Sequence, residues 1–358
     1  MAFNSFIRLR ALEDLKLFYE NSLQEELKSF EARRKFFLRF AIAASIGIQL
    51  CYVAAILYWN REELASVSER IRELPVLRKV AEVGIFSLGI WFVCFLTAYS
   101  IYEYQQQKAG FKEKIIQSII KFIDIDQVFS YSSHAIKPQL TERALNFGAI
   151  LRKNPDKFSE EDCIYGTVDN ISFCLSEVTT EEKKKRKIKS KNGPDRTETY
   201  YETLFNGLVL RAEFEHPFDF FLNIRSRGSH EQLPCAIQSK RFAGIDYSID
   251  TNSAELVTLG SSETDEFSRS FLVYSDRPSE VISLLSTDLK EYLVQLKKLF
   301  RRDVFVSVNE QRAVIAIEYS SDLFEPVFFG SLLKFKPIRE YFAHLELMFG
   351  VLSELIPD

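Results

Sequence analysis

Glycine, proline and cysteine are all sparse in this 358-residue sequence, which contains 13 Gly, 10 Pro and 5 Cys. So few glycines and prolines exclude collagen-like and low-complexity architectures. The odd number of cysteines, widely spaced and without a Cys-x-x-Cys pair, is typical of a reducing compartment and not of a disulfide framework. The sequence also lacks phosphate-loop glycine motifs, the nucleophile elbow and His-Glu-x-x-His. We therefore predict no catalytic residue, no cofactor and no metal site.

An excess of basic residues is also missing, since the formal net charge is −4. A nucleic-acid-binding protein usually carries a basic face with aromatic residues among the charges. The basic residues of this sequence show no such interleaving, so nucleic acid is not an expected partner.

Charge is absent from two segments near the N-terminus, 40–59 and 83–102, each of 20 residues. A helix of this length spans the roughly 30 Å hydrocarbon core of a bilayer. Tyr58, Trp59 and Tyr102 lie near the ends of the two segments, where aromatic rings favour the membrane interface. We predict a transmembrane helical hairpin. The alternative is a pair of buried helices in a soluble domain, which the flanking charges disfavour.

The orientation of the hairpin follows from the distribution of Lys and Arg. The two flanks, 20–39 and 103–122, together hold nine basic residues, whereas the connection 60–82 holds five. Cytoplasmic flanks carry the excess of Lys and Arg. Both termini are therefore predicted to be cytoplasmic, with 60–82 as a short external loop.

Helical patterns continue beyond both apolar segments. Residues 1–39 predict an amphipathic cytoplasmic helix, and residues 103–125 predict a cytoplasmic stalk helix, because apolar residues recur every three or four positions. Two helices cannot cover both apolar stripes completely. Either the soluble domain folds back over the stripes, or, as we expect, Leu15 and Phe18 form a partner surface in a homo-oligomer or with another membrane protein.

The remaining residues, 126–358, predict an α+β domain with a mostly antiparallel sheet and two helices. Short segments rich in β-branched and aromatic residues indicate strands, among them Cys163–Val178, which is taken as one run. The helices are predicted at Thr287–Phe300, with Ser286 as a candidate N-cap, and from Pro337 onward. Turns or bulges are predicted at Asn192–Gly193, Asn206–Gly207 and Asn309–Glu310.

Several longer phrases carry a family resemblance: GTVDNISFCLSEV, LFNGLVLRAEF, FSRSFLVYSD and DLFEPVFFGSLL, in that order. With FKEKIIQSIIKFID before them, they resemble the bacterial domain-of-unknown-function family numbered 3137. The resemblance implies a membrane-anchored protein of the bacterial inner membrane, with LemA-type membrane proteins as frequent gene neighbours and candidate partners. It implies no activity.

A basic run at 181–191 is the strongest charge signal, since seven of the nine residues from Lys183 to Lys191 are basic. One interpretation is a solvated, mobile hairpin tip. The other is contact with anionic lipid headgroups, to which Arg33, Arg34 and Lys35 near the first apolar segment would contribute. The predicted lipid-contact residues in the run are Lys183, Lys184, Lys185, Arg186 and Lys187.

Two other patterns have a structural and a functional interpretation. Asp124 and Asp126 could hold a cation, but acidic pairs of this kind more often cap a helix end or a turn. Phe324 and Phe328 lie in an apolar phrase that is either a packed connection or part of a partner surface.

Taken together, these patterns predict a non-enzymatic, membrane-anchored scaffold or binding protein. Its cytoplasmic α+β domain would face a protein partner or the membrane surface. The alternative is an enzyme of unrecognised type acting on a lipid or on a substrate near the membrane. Such an enzyme would need a polar cleft with several perturbed titratable groups.

Overall fold

The computed structural model describes residues 8–64, 110–147, 150–151, 154–188, 196–228, 254–257, 265–319 and 331–356. The chain divides into two compact units. The sheet unit consists of Met1–Leu17, Gln117–Phe324 and Phe335–Asp358, and the helical unit consists of Phe18–Ile116 and Glu325–Lys334.

The sheet unit contains a nine-stranded sheet in the order β1-β2-β3-β4-β9-β8-β5-β7-β6, and all described neighbours pair antiparallel. The strands are β1 Ser130–His134, β2 Lys157–Val168, β3 Ile171–Ile188, β4 Arg196–Glu213, β5 Leu222–Ser226, β6 Glu255–Leu256, β7 Phe271–Ser275, β8 Val304–Asn309 and β9 Arg312–Glu318. The predicted antiparallel α+β class is confirmed.

The connection between β2 and β3 corrects the sequence interpretation of Cys163–Val178 as one strand. Val168 pairs with Ile171, so Asp169 and Asn170 form a two-residue hairpin turn. Their φ angles are +47° and +63°. A type I′ turn needs positive φ at both central positions, and Asp and Asn tolerate it better than most residues.

Two other predicted turns have different outcomes. The turn predicted at Asn309–Glu310 is confirmed one residue further on: Asn309 ends β8 and pairs with Arg312, so Glu310, with a φ of +49°, and Gln311 form the turn. At Asn206–Gly207 the turn alternative is wrong, because both residues lie inside β4, but a bulge lies just before them, where the register shifts between Phe205 and Thr203. Gly207 pairs with Glu318, and a Cβ at this position would collide with the carbonyl oxygen of Ile317. The glycine therefore permits a close strand approach. Asn192–Gly193 lies outside the described residues.

The sheet unit has more helices than the two predicted. Thr287–Phe300 is confirmed as a helix, and the hydroxyl of Ser286 caps it by accepting a hydrogen bond from the Leu289 amide at 2.9 Å. The last helix begins at Lys336, one residue before the predicted start. In chain order the helices are α1 Leu12–Phe18 (ending in the helical unit), α2 Gln24–Leu64 (of the helical unit), α3 Gln117–Ile123, α4 Pro138–Phe147, α5 Glu266–Ser270, α6 Pro278–Leu284, α7 Thr287–Phe300 and α8 Lys336–Glu354.

Helices cover both faces of the sheet. On one face, Phe349 of α8 packs against Phe173 of β3, with 5.4 Å between ring centroids. On the other face, Leu145 of α4 packs in a cluster with Val178 of β3 and Val209 of β4. Phe173 and Val178 are an odd number of positions apart on one strand, so their side chains point to opposite faces. The core is therefore a three-layer arrangement of helix, sheet and helix.

The helical unit begins with a π-helical turn at Tyr19–Leu23, continues into α2, and contains a second π-helical turn at Lys112–Ile116. The predicted first span, 40–59, lies within the continuous α2 helix, while the second, 83–102, lies outside the described residues. No helix among the described residues meets both the length and the hydropathy of a membrane crossing. Side chains from Ile48 to Leu64 are not described.

The N-terminal helix is shorter than predicted, since α1 begins at Leu12. Leu9 instead forms an antiparallel bridge with Asp124, and the guanidinium of Arg8 is paired with Asp126. Asp124 also accepts a hydrogen bond from the Phe129 amide at 2.6 Å. The Asp124 and Asp126 carboxylates therefore stabilise the segment at the C-terminal end of α3, as the structural interpretation of this pair predicts.

Candidate functional site

The described part of the basic run, 181–188, lies in β3. Residues 183–188 belong to β3 and pair with 196–201 of β4, so that the two strands extend as a ribbon. We call residues 181–188 and 196–203 the ribbon. Its tip, 189–195, lies outside the described residues. Strand geometry now decides which side chains share a face, because successive residues alternate.

One face of the ribbon is ion-paired. The ammonium of Lys184 is paired with the Glu202 carboxylate, and Arg186 with the Glu198 carboxylate at 2.6 Å. The guanidinium of Arg186 also lies 5.6 Å from the ring centroid of Tyr200. The basic charges of this face are therefore balanced by neighbouring carboxylates.

The opposite face carries Lys183, Lys185 and Lys187, which we call the lysine row. These side chains are exposed and make no ion pair with any residue that the structure describes. Their cross-strand neighbours are Tyr201 and threonines. The five predicted lipid-contact residues of the run therefore divide into two balanced charges and three unbalanced ones.

The second predicted basic set, 33–35, also contains both ion-paired and unpaired residues among those described. Arg34 and Lys35 both pair with Glu31, at 2.9 and 3.2 Å, whereas Arg33 is exposed. Glu31 is buried and also accepts a hydrogen bond from the Leu332 amide. The hydrogen bond from Arg34 is the main cause that lowers the pKa of Glu31 to about 2. Arg34 thus stabilises its own helix.

Large apolar side chains are exposed on α2 immediately after this basic set. Phe36 is 64% exposed, and Ile42 and Ile46 are each 52% exposed. Phe36 stacks on Phe40 with 6.3 Å between ring centroids, and Phe40 is itself exposed. Large apolar side chains are therefore exposed on more than one side of this part of α2.

The predicted partner surface at Leu15 and Phe18 needs correction. Leu15 is fully buried within this chain, and Phe18 is half-buried. Because the chain itself covers Leu15, the assignment of this residue to a partner surface is wrong, whereas that of Phe18 stays a prediction. Phe324 and Phe328 lie outside the described residues.

A buried cluster was missed by the sequence analysis. One ligand atom each of Glu160, Cys163 and Cys174 lies within 4.8 Å of the others, and all three residues are buried. A hydrogen bond between the two thiols is the main cause that raises the pKa of Cys163 and lowers that of Cys174. Arg211, directly across from Cys174 on β4, lowers the pKa of Cys174 further.

The signal for this cluster was present but indirect. Cys163 lies six residues before the Asp169–Asn170 turn and Cys174 four residues after it, and this turn pairs β2 with β3. Recognition of that turn would have placed the cysteines on adjacent strands. The bulge that turns Cys163 towards Glu160 has no comparable sequence signature.

Comparison with known proteins identifies one family. Residues 203–356 match the model of the family described as "Protein of unknown function (DUF3137)". The family resemblance is confirmed over this segment. The DUF3137 match covers most of β4 through α8, while the lysine row and the buried cysteines lie before it.

Other comparisons give little. No curated protein matches this chain. The crystal structure of the mycobacterial trehalose monomycolate transport factor A, TtfA, aligns with 64% of this chain and 90% of its own chain. The sequence identity is 8% and the TM-score is 0.31.

Proposed function

We propose that this chain is a non-enzymatic, membrane-anchored binding protein of the bacterial inner membrane. Segments 40–59 and 83–102 form a transmembrane hairpin, both termini are cytoplasmic, and the antiparallel sheet domain is presented to the membrane surface. The DUF3137 segment then forms the C-terminal part of the cytoplasmic domain.

The exposed surface of α2 is the observation that carries the anchor. Phe36, Phe40, Ile42 and Ile46 would each leave a large apolar side chain in water, and burial of one such side chain contributes about 1.5–3 kcal/mol. Hydrocarbon covers the three of these residues within 40–59, Phe40, Ile42 and Ile46, without a protein partner. Basic residues precede this apolar segment on the same helix, as expected at the cytoplasmic interface.

The lysine row supports a second contact with the membrane surface. Three exposed ammonium groups that pair with no carboxylate of the described residues attract anionic headgroups, at about 1 kcal/mol per basic residue near the surface. The opposite face of the ribbon offers a weaker attraction because its basic groups are already paired. We therefore assign headgroup contact to Lys183, Lys185 and Lys187, and not to the whole basic run.

Membrane extraction tests the anchor. We expect the full chain to stay in the membrane pellet at alkaline pH, which removes peripheral proteins. The variant Ile42→Arg/Ile46→Arg should weaken this retention, because an arginine within a span costs up to about 2.5–3.5 kcal/mol, the value at the span centre. Leu17→Arg is the matched control, since Leu17 is an equally exposed apolar residue outside the apolar segment. Release of the unmodified chain by alkali would contradict the proposal.

Cysteine labelling tests the orientation. In intact cells, an impermeant thiol reagent should label Ser68→Cys in the external loop and leave the native Cys235 unlabelled. Membrane disruption should then make Cys235 accessible. Labelling of Cys235 in intact cells, with Ser68→Cys protected, would reverse the topology.

A further inference from the structure

The hairpin of β2 and β3 brings three metal-ligating side chains to one buried point. Glu160 and Cys163 come from β2, and Cys174 comes from β3. Between the pairs Glu161–Glu177 and Ile164–Leu175, two residues of β2 stand opposite one residue of β3. This bulge redirects the β2 side chains, and it places the thiol of Cys163 beside that of Cys174.

The carboxylate of Glu160 has one oxygen engaged and one available. Oε1 accepts hydrogen bonds from the hydroxyls of Thr141 and Ser176, both at 2.7 Å. Oε2 is buried and has no hydrogen-bond partner among the described residues. A buried carboxylate oxygen without a partner is costly, so this atom is expected to bind a cation. The two hydroxyls hold the side chain in the orientation that such binding needs.

The charges around the cluster also suit a metal ion. Two thiolates and one carboxylate carry three negative charges, and a divalent cation leaves a net charge of −1. Arg211 is 5% exposed, and its positive charge acts on Cys174. Arg211 therefore offsets part of the remaining negative charge, although it also donates a hydrogen bond to the Glu213 carboxylate at 3.0 Å.

We propose that Glu160, Cys163 and Cys174 bind one zinc ion, with water as the fourth ligand. Thiolate ligands select soft or borderline metals, and zinc takes mixed sulfur and oxygen ligands in tetrahedral geometry. Bonds of about 2.0–2.3 Å to a common ion separate the ligand atoms by about 3.3–3.8 Å. The observed limit of 4.8 Å needs only small side-chain rotations to reach this distance. Arg211 is a positioning residue that stabilises the Cys174 thiolate.

Metal analysis of the full chain, purified without chelators, tests this site. We expect about one zinc per chain by elemental mass spectrometry. Replacement by cobalt should give the near-ultraviolet absorption of a cobalt–thiolate bond. Cys163→Ser and Cys174→Ser should abolish both signals. The triple variant Cys51→Ser/Cys94→Ser/Cys235→Ser is the matched control, and it should retain both because it leaves the cluster intact.

A chelator provides a test that does not depend on any variant folding. Removal of zinc from the unmodified chain should lower its melting temperature by about 5–10 °C, and added zinc should restore it. Zinc-free folded protein that neither binds cobalt nor responds to the chelator would overturn the proposal. So would a Cys163–Cys174 disulfide in protein isolated under reducing conditions, or zinc that persists in both single cysteine variants.

Discussion

The two halves of the β3–β4 hairpin have the same backbone pairing but different surroundings. The inner half, 171–180 with 205–213, lies in the core, and Val178, Val209 and Arg211 are buried there. The outer half is the ribbon, where most side chains of both strands are exposed. The comparison teaches that a continuous strand pair can serve two purposes. Burial makes the inner half a source of stability, while the charges of the outer half stay exposed at the surface.

Gly207→Val should have the largest effect, because it disturbs the inner half directly. The new side chain would meet the Ile317 carbonyl and force β4 away from β9. We expect the free energy of unfolding to fall by at least about 3 kcal/mol, the upper part of the range for overpacked cores. Thr199→Val, in the outer half, is the matched control and should leave stability nearly unchanged. Chemical denaturation measures both, and equal losses would erase the contrast.

Acidification should sharpen the contrast between buried and exposed titratable groups. His344 on α8 is buried and stacks on Phe300 with 4.1 Å between ring centroids. Burial lowers its pKa from 6.5 to about 4, so the unfolded chain binds more protons than the folded chain between these values. This group therefore stabilises the fold fully above pH 6.5, and up to about 3 kcal/mol is lost as the pH falls to 4.

The variant His344→Phe isolates this contribution. Denaturation of the full chain at pH 7 and at pH 4 should show a smaller loss of stability in the variant than in the unmodified protein. Phenylalanine keeps an aromatic ring against Phe300 and cannot bind a proton. An identical pH dependence in both proteins would assign the acid sensitivity to other groups.

A matched pair of arginines compares the two halves of the hairpin with the same chemistry. Arg211 in the inner half is buried and donates to the Glu213 carboxylate at 3.0 Å. Arg186 in the outer half forms an exposed pair with Glu198. We expect Arg211→Met to cost about 2 kcal/mol and Arg186→Met about 0.5 kcal/mol. Thermal unfolding at one pH measures the difference, and a larger loss for Arg186→Met would contradict the assignment.

Removal of the lysine row should have the smallest effect on stability. The variant Lys183→Ser/Lys185→Ser/Lys187→Ser removes three exposed side chains that have no ion pair among the described residues. Surface substitutions of this kind usually change the free energy of unfolding by less than about 0.5 kcal/mol each. A large loss measured by denaturation would show that the row supports the fold.

The elements that the sequence predicted well have strong local signals. The helix Thr287–Phe300 combines an N-cap serine with an amphipathic pattern, and Asn309–Glu310 stands between two clear strand segments. In each case neighbouring residues determine the outcome. The family phrases add independent support, and the match over 203–356 contains three of the four phrases wholly or in large part.

The elements that it missed depend on contacts between distant residues. Asp169 and Asn170 form a turn inside an apparently continuous strand, because the pairing of β2 with β3 favours positive φ there. The split of the basic run into two faces became visible only when Glu198 and Glu202 were placed opposite it. The Glu160–Cys163–Cys174 cluster combines a turn and a bulge, so residue spacing alone could not reveal it.

Binding of the ribbon to anionic vesicles tests the central claim most directly. The full chain is incorporated into nanodiscs of neutral lipid, which cover the proposed transmembrane helices. It is then sedimented with vesicles of phosphatidylglycerol or phosphatidylcholine. We predict low-salt binding to phosphatidylglycerol alone, which Lys183→Ser/Lys185→Ser/Lys187→Ser weakens by about 100-fold. Lys184→Ser/Arg186→Ser, on the ion-paired face of the same strand, should weaken it much less. Equal losses from the two faces, or no binding at low salt, would contradict the account.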